Sequence, residues 1–168
     1  MEKEVQNKIF EEILSEHRGV FFKIAKTYCK DETDRQDLLQ EMMINVWQAL
    51  PRYKSDFKLS TWLYRICLNV AISSYRKNAA VPLHIPIEDD DNQTIVEHQE
   101  GDKQQHLQML EKFIDELKDL DKALMLLYLE DKSHSEIAEI LGISPSNVST
   151  KVLRIKEKLK QRFSKLDK

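Results

Sequence analysis

The stretch Ser133-His134-Ser135-Glu136-Ile137-Ala138-Glu139-Ile140-Leu141-Gly142-Ile143-Ser144-Pro145-Ser146-Asn147-Val148 decides the fold of the last third of the chain. A serine, at 133 or 135, starts a short helix, because its hydroxyl can accept from first-turn N–H groups that have no partner within the helix. Ile137, Ala138 and Leu141 recur at helical spacing and face inward. Ala138 is small, so a second helix can cross close above it. Gly142 suits the left-handed residue that stops a helix, and Ile143 plugs the corner behind it. Ser144 then caps a new helix with Pro145 at its first position, where a missing N–H costs nothing. Val148, Val152 and Ile155 continue the inward face of that second helix. Cap, small residue, glycine and second cap at these intervals spell a helix-turn-helix.

The outward face of the second helix begins with Ser146, Asn147, Ser149, Thr150 and Lys151 and continues to Arg154. Short polar side chains at a helix N-terminus can reach base edges and phosphates, aided by the helix dipole. Asn147 is suited to adenine, and Lys151 to guanine or a phosphate. Lys156, Lys158 and Arg162 add attraction to phosphate that does not depend on sequence. A plain helical hairpin with a solvated basic tail would explain the charge but not the ordered caps. Taken alone, the motif would serve a repressor, a response-regulator output domain or an initiation factor.

Outward from the motif, composition sets the class. With 3 Gly and 4 Pro in 168 residues, 41% hydrophobic and 33% charged, the chain has too few turn residues for a sandwich or barrel and reads as all-α. Residues 7–30 predict two short helices broken near His17-Arg18-Gly19. A helix from about Asp34 to Leu50, capped by Asp31 or Thr33, ends at Pro51. A long helix starts at Ser60 or Thr61 and runs to about Lys77. From Asn78 to about Lys103 the apolar period is lost, Pro82 and Pro86 intervene, and Val81–Asp102 holds seven carboxylates but no Lys or Arg. This is a flexible acidic linker. The period returns at Leu107. The expected architecture is therefore two small helical domains, 1–78 and 106–168, joined by the linker 79–105, the second domain carrying the helix-turn-helix. The formal net charge of −3 hides an acidic middle and a basic tail, which call for different partners.

Several function classes are excluded. Cys29 and Cys67 lie far apart with no ligand spacing and read as small buried hydrophobes in a reducing compartment. The five histidines show no metal pattern, and neither a phosphate-binding glycine loop nor a nucleophile elbow is present. No cofactor, metal or catalytic residue is expected. The charged start and the lack of a long apolar run predict a soluble, cytoplasmic chain with no membrane insertion.

The N-terminal half narrows the choice. Asp37-Leu38-Leu39-Gln40-Glu41, with Trp47 six residues on, and then Phe57 followed by Trp62-Leu63-Tyr64-Arg65-Ile66-Cys67-Leu68-Asn69 resemble the second conserved region of extracytoplasmic-function RNA polymerase sigma factors. The helix-turn-helix resembles their fourth region, in the same order and at similar separation. The resemblance implies an initiation subunit and not an enzyme. It implies that Asp37, Leu38, Gln40, Glu41 and Trp47 dock on core RNA polymerase. It assigns minus-ten promoter DNA to Lys54, Lys58, Ser60, Thr61, Arg65, Asn69, Arg76 and Lys77, and the minus-thirty-five element to Ser146, Asn147, Ser149, Thr150, Lys151 and Arg154. Tyr64 and Tyr75 would join the minus-ten set if exposed, and Trp62 is expected in the core. A cognate anti-sigma factor is a further implied partner, and the acidic run Glu88-Asp89-Asp90-Asp91 is suited to a basic channel of the polymerase or to an ordinary tether. The competing reading is a stand-alone helix-turn-helix regulator that binds palindromic DNA as a dimer.

Overall fold

Helix punctuation in the sequence maps directly onto the architecture. The structure, a computed structural model, describes residues 1–80 and 101–166. Eight α-helices are described: α1 (Lys3–Glu16), α2 (Arg18–Tyr28), α3 (Glu32–Ala49), α4 (Leu59–Ala80), α5 (Gly101–Glu116), α6 (Asp119–Leu129), α7 (His134–Leu141) and α8 (Pro145–Leu166). Asp31 caps α3 by accepting from the Asp34 N–H at 3.2 Å, which places Thr33 inside the helix and not at its cap. Pro51 ends α3 through a 3-10 turn, Leu50–Arg52. The helix α4 starts at Leu59, so Ser60 and Thr61 stand in its first turn and do not cap it. Of the interval 79–105 read as linker, residues 79–80 belong to α4 and 101–105 to α5. The acidic run Glu88–Asp91 lies outside the described residues.

The N-terminal core follows from helical spacing. Leu38, Leu39, Met42 and Val46 of α3 meet Leu63, Cys67, Leu68 and Ala71 of α4, with Ile13, Phe21, Ile24 and Ala25 closing the other side. Burying such a side chain is worth roughly 1.5–3 kcal/mol, and this apolar set supplies most of what holds the half together. A polar clasp ties α1 to α3: Gln6 donates from Nε2 to the Trp47 carbonyl at 2.7 Å, and Trp47 donates from Nε1 to Asn7 Oδ1 at 3.1 Å.

In the C-terminal half, Ser133 and Glu136 form a reciprocal capping box at the start of α7. Ile137, Ala138 and Ile140 are buried, whereas Leu141 is only half-buried; the inward face is turned by one residue from the sequence reading. Gly142 has φ +69°, the left-handed conformation expected of it. Ser144 accepts from the Asn147 N–H at 3.1 Å, capping α8 above Pro145. Val148, Val152 and Ile155 are all buried beneath α7 and α6.

The helix α6 joins the halves. Ala123, Leu124, Met125, Leu126 and Leu127 are consecutive and all buried. A helix that is apolar all round must be covered all round, and α6 packs on α7 and α8 from one direction and on α2 and α4 from the other. Tyr28 Oη donates to the Asp119 carbonyl at 2.6 Å across this seam. Burial pushes the Asp119 carboxyl up, but hydrogen bonds from Arg76 and the Leu120 N–H, with the charge of Arg76, outweigh it and hold the group below the usual carboxylate range.

Two substitutions test this account. Leu124→Ala should cost about 2–5 kcal/mol through lost burial and the cavity left behind, and Gly142→Ala about 1–2 kcal/mol through left-handed strain. Both are read as a lowered urea midpoint for full-length protein.

Candidate nucleic-acid interface

Three exposed surfaces carry the residues singled out from the sequence. The first is the outward face of α8. Ser146, Asn147, Ser149, Thr150 and Arg154 are exposed, and Lys151 is half-buried. Two hydroxyls are anchored on their own helix: Ser149 Oγ donates to the Pro145 carbonyl at 3.1 Å and Thr150 Oγ1 to the Ser146 carbonyl at 3.0 Å. They can still accept from a ligand, but their rotamers are set. His134, at the start of α7, lies 2.9 Å from Ser149 Oγ through Nδ1 and so belongs to the same surface. In the sequence its lone imidazole has no partner at ligand spacing, and its place one residue after the Ser133 cap is the only signal that it borders this surface. Two of the tail cations have structural roles: Lys156 sits 4.5 Å from the Tyr128 ring centroid, and Arg162 covers Phe113 and pairs with Glu116. Lys158 is exposed.

The second surface follows α4. Arg65, Asn69, Arg76 and Lys77 are exposed along the helix, with Lys54 and Lys58 in the loop before it. Ser60 is half-buried. Thr61 is 6% exposed and Tyr64 4%, so both face the core and neither presents a side chain to a ligand here. Burial, then the charge of Glu130, pushes the Tyr64 hydroxyl up to about 12. Trp62 is half-buried against Tyr53, with ring centroids 4.9 Å apart, and Tyr75 is half-buried against Tyr28. Phe57, 42% exposed, has Arg65 over its ring at 5.7 Å. An exposed aromatic beside a guanidinium is what stacking on an unpaired base requires, and its place next to Lys58 was the available signal.

The third surface is a strip of α3. Asp37, Gln40 and Glu41 are exposed one turn apart, and Ile44, 55% exposed, extends the strip by another turn. Polar groups flanking an apolar residue are suited to a partner helix. Leu38 is 3% exposed in the core and Trp47 is half-buried by its contact with Asn7, so Leu38 supports the strip from beneath.

Residues 13–81 match the family profile described as Sigma-70 region 2, and residues 107–159 match Sigma-70, region 4. The chain belongs to the sigma-70 family. The relatives place this sigma factor in the extracytoplasmic-function group. It is 26% identical to the RNA polymerase sigma factor SigV of Bacillus subtilis, over 92% of this chain and 90% of that one. It is 24% identical to the ECF RNA polymerase sigma-E factor of Haemophilus influenzae, over 95% and 89%. Its fold is similar to that of the sigma factor RpoE solved in complex with the anti-sigma factor NepR from Bartonella quintana, with TM-score 0.69, 21% identity and coverage of 96% and 99%.

Among the described residues of the sigma factor, no group of His, Cys, Asp and Glu is arranged to hold a metal, and no helix is long and apolar enough to cross a membrane. Cys67 is fully buried, and burial pushes its thiol up to about 12. Burial also raises the half-buried Cys29 thiol, with Asp34 adding to the effect. The thiolate is the reactive form. Native protein at pH 8 should therefore leave Cys67 unmodified by a thiol reagent and modify Cys29 slowly, and unfolding in guanidinium should release both at the rate of free cysteine.

Proposed function

We propose that this sigma factor binds core RNA polymerase and directs promoter-specific initiation, reading the minus-ten element with the α4 surface and the minus-thirty-five element with α8. The observation that carries the reading is the pairing, in one chain, of the exposed α3 strip and α4 cation stripe with a fully capped helix-turn-helix. Asp37, Gln40, Glu41 and Ile44 form the polymerase contact, with carboxylates meeting cations on a partner helix. Lys54, Lys58, Arg65, Asn69, Arg76 and Lys77, with Phe57, hold the opened minus-ten strand. Asn147, Ser149, Lys151 and Arg154 reach the major groove, and Ser146, Thr150 and His134 supply contacts at its edge. The chain supplies no covalent chemistry, acts in the cytoplasm, and is masked by an anti-sigma factor until needed.

In vitro transcription with purified core polymerase and a library of promoter fragments tests this. The protein should yield specific transcripts. Glu41→Arg should reduce them about 10-fold or more, since like charge at a docking surface is costly. Asn147→Ala should relax specificity at one base of the minus-thirty-five element by about 1–3 kcal/mol, whereas Arg154→Ala should weaken binding evenly across sequences. Tight operator binding by the protein alone, with no stimulation of a compatible core, would instead identify a stand-alone regulator.

A further inference from the structure

The hydroxyls on the outward face of α8 have already spent their protons. Ser149 Oγ donates to the Pro145 carbonyl at 3.1 Å and Thr150 Oγ1 to the Ser146 carbonyl at 3.0 Å. A hydroxyl has one proton, and a carbonyl can only accept. Both protons therefore point back into the helix, and outward the two oxygens offer lone pairs alone.

That direction settles the imidazole of His134. Its Nδ1 lies 2.9 Å from Ser149 Oγ, whose proton is already committed to Pro145. For both contacts to be hydrogen bonds, Nδ1 must be the donor. A neutral imidazole carries one N–H, so Nε2 is left bare as an acceptor. His134 is the first residue of α7, Ser149 lies in the second turn of α8, and both are exposed. The bond between them joins the two helices of the helix-turn-helix and holds the ring beside the recognition face. Donors on that face are fewer: Asn147 and Arg154 are exposed, but Lys151 lies 3.5 Å from the Asp121 carboxylate.

The places where such acceptors can go on DNA are limited. Phosphate oxygens are negatively charged acceptors, so a lone pair aimed at the backbone is repelled. Along the major groove the donors are adenine N6 and cytosine N4, whereas guanine presents only acceptors and thymine an acceptor and a methyl group. An acceptor left facing guanine or thymine loses its water without gaining a partner.

We propose that His134 Nε2 and Ser149 Oγ form a fixed acceptor pair that selects an exocyclic amino group, of adenine or cytosine, at one position of the minus-thirty-five element. This assignment rests on the promoter-binding reading and adds to it the chemical group that this corner of the helix-turn-helix reads. It makes His134 a specificity residue and not a phosphate contact.

Two measurements test it. Long-range proton–nitrogen correlation spectra of full-length protein at pH 8 report the tautomer, with the His134 signals assigned by their loss in His134→Ala. The proton is expected on Nδ1; a proton on Nε2 overturns the pair. The second measurement uses holoenzyme reconstituted from full-length protein and core polymerase, bound to promoter duplexes recovered from the transcription library. Each adenine of the minus-thirty-five element is replaced in turn by 2-aminopurine, which still pairs with thymine but carries its amino group in the minor groove. Each cytosine is replaced by 2-pyrimidinone, which has no amino group. One replacement should weaken binding by the parent about 5–20-fold, within the range of a good base contact. His134→Ala and Ser149→Ala should each weaken binding to the unmodified duplex and lose most of the sensitivity to that replacement. The double variant should be little weaker than either single one, as for two groups that act as a unit. Sensitivity that persists in both single variants, or an element in which no amino group matters, overturns the acceptor pair and leaves the promoter reading standing. A holoenzyme that selects no promoter overturns both.

Discussion

The constraint on which the rest depends is the all-round burial of α6. Five consecutive apolar residues, Ala123–Leu127, leave that helix no face to give to water. The helix-turn-helix can cover only part of it. The remainder is covered by α2 and α4, and this need sets the positions of Tyr28, Tyr75 and Arg76 against Asp119 and Lys122. The apolar contact supplies affinity that does not depend on salt, and the charged rim sets the register in which the halves meet.

The helical elements were legible in the sequence because their signals are local. Asp31, Pro51, Ser133, Gly142, Ser144 and Pro145 each act within one turn of where they stand, and each marks a helix end in the structure. What depended on distant residues was less legible. Thr61 reads as a minus-ten contact, and Tyr64 as another if exposed, yet both are buried, because their side of α4 is covered by elements far away in the chain. Lys156 and Arg162 read as free cations but are held by Tyr128, Phe113 and Glu116. Conversely, Ile44 and Phe57 are apolar by type and yet stand exposed. The unbroken apolar run in α6 was the one local hint that a second body covers it, and it was obscured by the expectation of independent domains.

The candidate surfaces share a design. Each places functional side chains on one face of a helix whose opposite face is locked into a core: Asp37, Gln40 and Glu41 above Leu38 and Met42, Arg65 and Asn69 above Leu63 and Cys67, Asn147 and Thr150 above Val148 and Val152. Rigid support of this kind keeps the ordering cost of binding low. On α8 the support extends to the side chains, since Ser149 and Thr150 are already fixed on backbone carbonyls.

The sealed position of α6 also bears on the life of the protein between partners. Whenever the halves part, the side of α6 that faced α2 and α4 is left bare, together with the ring faces that had held Lys122. Such newly bared apolar surface favours self-association and attack by proteases. An opened chain is then perishable, and its usable lifetime depends on how quickly another surface replaces the one it has lost.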